Sequence, residues 1–201
     1  MNVVITGANR GIGAGFVRHY LKQGANVWAC YRSCRGELSG IKSENLHTLR
    51  WDVSSDEHPQ GDLPETIDLL INNAGVMIPP AGKTKQGFEL QFGVNHIGHF
   101  ALTGLLLDLL LATEGARIVS VSSTAHRMGR MNFEDLDFDA RGYNASSAYA
   151  QSKLANLLLI AELTRKLNAA GADVLAAAAH PGWTQTNLQK HSNLFQLMNP
   201  L

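Results

Sequence analysis

The chain has little cysteine: only Cys30 and Cys34, too close together and too few for a disulfide framework or a zinc site. That usage is expected of a reduced, cytoplasmic protein. Net charge is also missing. Seventeen Lys and Arg balance seventeen Asp and Glu without clustering, which argues against nucleic acid as a partner. No apolar run has the length of a membrane span, because the longest, "LLLDLLLA", is broken by Asp108. No signal peptide is expected either, since "NVVITG" reads as a strand directly after Met1. Metal signals are weak. His96 and His99 in "NHIGHF" have a usable spacing but no third ligand. The acidic "FEDLDFD" (133–139) lacks the ordered spacing and glycine of a calcium loop, so it reads as a solvated flap.

What is present is an alternation of short apolar runs with helical patterns over 201 residues, enough for one domain spanning 1–201. "NVVIT", "ANVWACY", "LHTLRWDV", "IDLLINNAG", "ARIVSVSS" and "ADVLAAAAH" read as six strands. Helical patterns run through "IGAGFVRHYLKQG", "GVNHIGHFALTGLLLDLLLAT" and "SAYAQSKLANLLLIAELTRKLNAAG". Strands apolar on both faces and separated by helices indicate a doubly wound parallel sheet, an α/β fold of Rossmann type. One crossover is irregular: "SSDEHPQGDLPET" (54–66) carries two prolines and a glycine where a helix is expected, leaving room for a turn or two at most.

Chemistry-bearing residues fall where such a sheet binds ligands. "TGANRGIG" (6–13) lies between the first strand and its helix. Gly7, Gly11 and Gly13 permit a tight turn and close backbone approach, and the helix N-terminus offers free N–H groups to a pyrophosphate. Asn9, Arg10 and Ile12 belong to the same turn. Strand ends supply further candidates: Asp52 and Val53 after the third, Asn73, Ala74 and Gly75 after the fourth, Ser122 and Ser123 after the fifth. Strand two ends at Arg32, where an acidic residue would grip a ribose hydroxyl. An arginine there, with Arg10 nearby, suits a 2′-phosphate and favours NADP(H) over NAD(H). Finally, Tyr149 and Lys153 stand four residues apart, on one face of a helix. As a surface pair they would mean little; facing a pocket, they would be an acid and the cation that tunes it.

"TGANRGIG", "NNAG", Asn95, Ser123 and Tyr149-x-x-x-Lys153 follow one another as in the short-chain dehydrogenase/reductase family, which the chain resembles over nearly its whole length. Its start, "MNVVITGANRGIG" through "WACYRS", looks like bacterial C-factor-type members. From "GFELQFGVNHIGHFALTGLLL" to "SAYAQSKLANLL" it is similar to retinol-dehydrogenase-like members. The resemblance implies Tyr149 as general acid for carbonyl reduction and base for alcohol oxidation. Lys153 would favour the phenolate and hold the nicotinamide ribose. Ser123 would hold the substrate oxygen, and Asn95 a water joining Lys153 to solvent. It adds Pro181, Gly182 and Thr184 of "PGWTQT" to the cofactor side. A free phenol has a pKa of about 10, so lowering it by two to three units takes roughly 3–4 kcal/mol.

Two departures stand out. "TAHRMGRMNFEDLDFDARGYNASS" lengthens the Ser123–Tyr149 interval and offers Phe133, Phe138 and Tyr143 to line or cover a substrate. After "PGWTQT", the family's lid, further helix and seventh strand are not recognisable, so the chain reads as a fragment or a short form. The expected function is an NADP(H)-dependent oxidoreductase acting on a small hydrophobic carbonyl or alcohol. The apolar helices around 98–112 and 148–167 are candidates for a homodimer or homotetramer interface. The alternative, motivated by the start and the tail, is a non-catalytic nucleotide-binding or signalling protein.

Overall fold

The computed structural model of the chain describes residues 1–55, 59 and 61–182. Six parallel strands form one sheet in the order β3-β2-β1-β4-β5-β6. They are β1 (Asn2–Ile5), β2 (Asn26–Tyr31), β3 (Leu46–Arg50), β4 (Leu69–Asn72), β5 (Ala116–Val121) and β6 (Val174–Ala179). The chain winds outward from β1 to β3, then returns to place β4 on the other side of β1. Their C-terminal ends therefore flank the point where the winding direction reverses, the ligand crevice of an open α/β sheet.

Alternate strand residues feed two cores. Val3, Ile5, Leu69 and Ile71 pack with Val17 of α1 (Gly11–Lys22) on one face; Val4, Leu70 and Ile118 pack on the other with Leu102, Leu110 and Ile160. The second layer comes from α3 (Gly98–Leu105), α4 (Leu107–Leu111) and α5 (Ala145–Ala169). Burial on both sides is why β4, "LLIN", has no polar alternation.

The helix expected over 93–113 is not continuous. A short α2 (Leu90–Phe92) leads into a π-turn, Gly93–Ile97, before α3, and Leu106 separates α3 from α4. In the π-turn the Gly98 amide bonds to Gly93, five residues back. Asn95, inside this π-turn, makes tertiary bonds to Val76 and Ser152, which hydrophobic periodicity does not record. Among the described residues between β3 and β4 there is no helix, in line with the two prolines there.

Candidate active site

One cleft of about 610 Å³ runs across the C-terminal strand ends. At one end lies the glycine turn. Gly7 has φ +61°, and a Cβ on it would lie 2.7 Å from Ala74 Cα, so only glycine lets β1 and β4 approach. Asn73 fastens the approach by donating from Nδ2 to the carbonyls of Thr6 (2.8 Å) and Gly7 (3.2 Å). A Cβ on Gly13 would lie 2.8 Å from that same Nδ2. Asn9 and Arg10, Gly11 and Ile12, Asp52 and Val53, and Ala74 and Gly75 also line the cleft. Asp52 Oδ1 is already engaged, accepting from the Ser54 amide (3.0 Å) and hydroxyl (2.7 Å). The first-turn amides of α1 have no intrahelical acceptors. Gly11 N–H instead donates to Glu37 Oε1 at 3.1 Å, while the other oxygen of Glu37 pairs with Arg18 at 2.7 Å. That pair holds the Glu37 carboxyl below its usual range. Arg10 and Arg32 both line the cleft, are exposed, and make no ion pair among the described residues.

At the other end stand Ser123, Tyr149 and Lys153. Burial pushes the Tyr149 phenol up, and the neighbouring Ser123 side chain pulls it the other way. The spacing anticipates tuning by Lys153, but that ammonium lies 5.7 Å from the phenol ring centre and donates instead to the Val121 carbonyl at 3.0 Å. Burial brings Lys153 down to about 8. The two serines divide by environment. Ser122 is buried and donates to the Lys153 carbonyl at 2.9 Å, whereas Ser123 is half-buried and caps the turn at 124–128 through the Ala125 amide.

Asn95 is fully buried and stands behind the cleft wall. Its Nδ2 donates to Val76 O (3.0 Å) and Ser152 Oγ (2.9 Å), and its Oδ1 accepts from Val76 N (2.8 Å). Both amide hydrogens are thus taken, leaving one Oδ1 lone pair for a water. A Cβ on Gly75 would lie 3.1 Å from that oxygen and 3.7 Å from Lys153 Nζ, so the three converge. Pro181 and Gly182 border the cleft; Thr184 lies outside the described residues.

A family model described as short chain dehydrogenase matches residues 1–135. The chain belongs to the short-chain dehydrogenase family. It is 40% identical over 205 residues to human retinol dehydrogenase 13, covering 96% of this chain and 61% of that protein. It is 42% identical over 209 residues to human retinol dehydrogenase 12, covering 98% of this chain and 65% of that protein. The chain therefore spans a little under two thirds of the length of these relatives. An uncharacterized protein from Mycobacterium Paratuberculosis shares the fold with a TM-score of 0.82 and 44% identity, over 94% of this chain and 71% of that one.

In this member of the family the sequence reading missed much of the cleft wall: Val76, Met77 and Ile78 after β4, Val94 in the π-turn, and Arg127, Met128 and Ser146. The signal was available, since 76–78 and 124–128 directly follow strand ends. The flap aromatics do not line the cleft. Phe133 is 73% exposed, and Phe138 is buried under the Arg141 guanidinium, 3.8 Å from its ring centre. Tyr143 accepts from Gln91 Nε2 (3.0 Å) and donates to Pro79 O (2.9 Å). Nor is the acidic stretch merely solvated: Asp137 accepts from the Glu89 amide at 2.6 Å, and Asp135 from Ala140 and Arg141. Charge composition alone does not distinguish a capping aspartate from a solvated one. Among the described residues no three His, Cys, Asp or Glu side chains are grouped to hold a metal, and no helix is long and apolar enough to cross a membrane.

Proposed function

We propose that the chain is an NADP(H)-dependent oxidoreductase interconverting a carbonyl compound and an alcohol, with Tyr149 as the acid–base group. One juxtaposition supports it: Tyr149, Ser123 and Lys153 share a cleft with the glycine turn at the reversal point of the sheet. The residues fit a dinucleotide, because Gly7 and Gly13 let the turn pack tightly against Ala74 and Asn73 beneath the cleft, and the Ile12 and Gly13 amides open the first turn of α1. Arg10 and Arg32 would hold a 2′-phosphate, Asp52 and Val53 the adenine side, Asn73–Gly75 the middle of the cofactor, and Pro181, Gly182 and Thr184 the nicotinamide side.

When bound, NADPH supplies the hydride that adds to the carbonyl carbon. Ser123 then holds the carbonyl oxygen, and Tyr149 gives it the phenolic proton as negative charge develops there. A phenol raised by burial stays protonated at neutral pH and is loaded for reduction. Lys153, with its pKa brought to about 8, keeps its proton at pH 7 and would hold the ribose while favouring the phenolate for the reverse reaction. Asn95 fixes the wall beside Lys153 and keeps one lone pair for a relay water.

Met77, Ile78, Val94 and Met128 give the substrate end an apolar lining, which suits a small hydrophobic carbonyl or alcohol. That the relatives are named retinol dehydrogenases agrees with this choice. Exposed Phe100 and Leu105 on α3 and Leu158 on α5 support pairing of copies as a dimer or tetramer. Two free cysteines fit the cytoplasmic placement. The test is to mix protein with NADPH and a panel of aliphatic, aromatic and polyene aldehydes and ketones. Loss of NADPH absorbance with alcohol formation is expected. Tight NADPH binding without turnover on any carbonyl would favour a nucleotide-binding protein instead.

A further inference from the structure

Beneath the glycine turn, the Thr6 hydroxyl at the end of β1 accepts from the amides of Asn73 and Ala74, both at 2.9 Å. A hydroxyl has two lone pairs and one proton, so only the proton is left to place. Ile71 O lies 3.4 Å away and His99 Nε2 2.9 Å, and the shorter contact takes it. His99, 1% exposed on α3, has its Nδ1 3.0 Å from the Asn95 carbonyl, which can only accept. Nδ1 therefore carries the ring proton and Nε2 is the bare acceptor. One tautomer satisfies every partner. We infer that His99 is a positioning residue of the cofactor site: a neutral, Nδ1–H imidazole that orients the Thr6 hydroxyl to hold the Asn73–Ala74 turn against the glycine turn, and ties both to the π-turn bearing Asn95.

The surroundings keep the ring neutral. Burial, Lys153 from α5 and His96 on its own helical run all oppose a second proton, outweighing the Asn95 carbonyl, while the turn after β1 contributes Thr6 and β4 the Ile71 carbonyl. A protonated Nε2 would also point a donor at a hydroxyl whose lone pairs are both used. His96 does not join His99 as a ligand pair, because its Nδ1 faces Asn156 Oδ1 at 3.2 Å.

The consequence for cofactor binding rests on the oxidoreductase reading; the network does not. In ¹⁵N-histidine-labelled protein, with the signal assigned by its loss in His99→Leu, the ring is expected neutral and Nδ1-protonated from about pH 5 to 8. An Nε2–H tautomer, or titration near the ordinary 6.5, overturns the inference. In His99→Leu, hydrogen exchange at the Asn73 and Ala74 amides should quicken at least tenfold with β5 amides unaffected, and NADPH Kd should rise roughly tenfold, the scale of one lost hydrogen bond. His99→Gln, whose Oε1 can take the Thr6 proton, should recover most of both. Exchange unchanged in His99→Leu also overturns it. Should that variant fail to fold, His99→Gln supplies the signal assignment and the parent's ¹⁵N titration carries the test, an Nε2–H or charged ring at about pH 6–7 overturning the inference. A parent with this tautomer and these protected amides but no NADPH-dependent turnover would remove the oxidoreductase reading and leave the role of His99 standing.

Discussion

Lys153 Nζ donates to the Val121 carbonyl at 3.0 Å, tying α5 to the end of β5, and does so while buried. Burial is what brings its pKa from 10.5 to about 8. Between those values the unfolded chain binds a proton that the folded chain has shed, so stability rises with pH across that window. Below about pH 8 the folded chain carries the whole cost of the ammonium, about 3 kcal/mol for a shift of this size. Lys153→Met should therefore stabilise the protein at pH 7 by about 1–3 kcal/mol, part of the gain being lost with the Val121 bond. Turnover should fall at least a hundredfold. Urea melts at pH 7 and pH 10 check this: the gain should shrink at the higher pH. A variant less stable than the parent at pH 7 would show that the lysine is not a burden on the fold.

Tyr149→Phe removes one oxygen from a mostly buried ring and leaves the glycine turn untouched. Turnover should drop by roughly 10²–10⁴, the usual worth of a positioned proton donor, with NADPH Kd changed less than about threefold. In the parent, alcohol oxidation should accelerate with rising pH if, as proposed, the phenolate is the base, since burial holds the phenol up. Phenylalanine should flatten that rise. Equal turnover in the two proteins would place the acid elsewhere.

The sheet was legible because strands buried on both faces read as apolar runs, and Asn2–Ile5 or Leu69–Asn72 carry no competing helical period. Much of the cleft lining was legible because glycines, asparagines and arginines follow strand ends in order. Other features depend on contacts distant in sequence. The π-turn coincides with Asn95 reaching Val76, and the fate of Ser122 is set by the Lys153 carbonyl. Lys153 itself shows the limit of a spacing argument: four residues place two side chains on one face, but burial and the nearest carbonyl decide where an ammonium points.

His99 predicts the acid behaviour of the fold. Its pKa falls from 6.5 to about 4 on folding, chiefly through burial. The unfolded chain therefore gains a proton first as pH falls, and the stability it contributes is present above about 6.5 and lost progressively toward 4. The loss should approach about 3 kcal/mol by pH 4. Denaturant melts from pH 7 to 4 should show this slope in the parent and a shallower one in His99→Gln. Identical slopes would mean that other groups govern acid unfolding.

Gln91 holds the flap to the strand ends. Its Nε2 donates to Ala145 O (2.8 Å) and Tyr143 Oη (3.0 Å), and its Oε1 accepts from Ile78 N (2.9 Å). Gln91→Leu keeps the bulk and orphans these partners, at a cost of about 2–4 kcal/mol. Proteolysis within 129–144 should become faster, and KM for hydrophobic carbonyls should rise more than kcat falls, since Ile78 lines the cleft. Phe133→Ser, on a ring 73% exposed, should change neither measurement.

On the proposed reading, cofactor choice turns on Arg10 and Arg32, two guanidiniums that line the cleft without ion-pair partners among the described residues. A 2′-phosphate adds close to two negative charges, which a guanidinium meets with two parallel hydrogen bonds. Charge-assisted bonds are worth about 1.5–3 kcal/mol, so one well-held arginine implies roughly tenfold to a hundredfold preference. Both arginines are exposed, which discounts the second. NADPH should bind at least tenfold tighter than NADH, and the margin should narrow as salt rises. Arg10→Ala with Arg32→Asp should reverse the order, because the new carboxylate repels a phosphate and accepts from ribose hydroxyls. Fluorescence titration at low salt decides it. Equal affinities in the parent would withdraw the phosphate role of these arginines and leave the dinucleotide cleft in place.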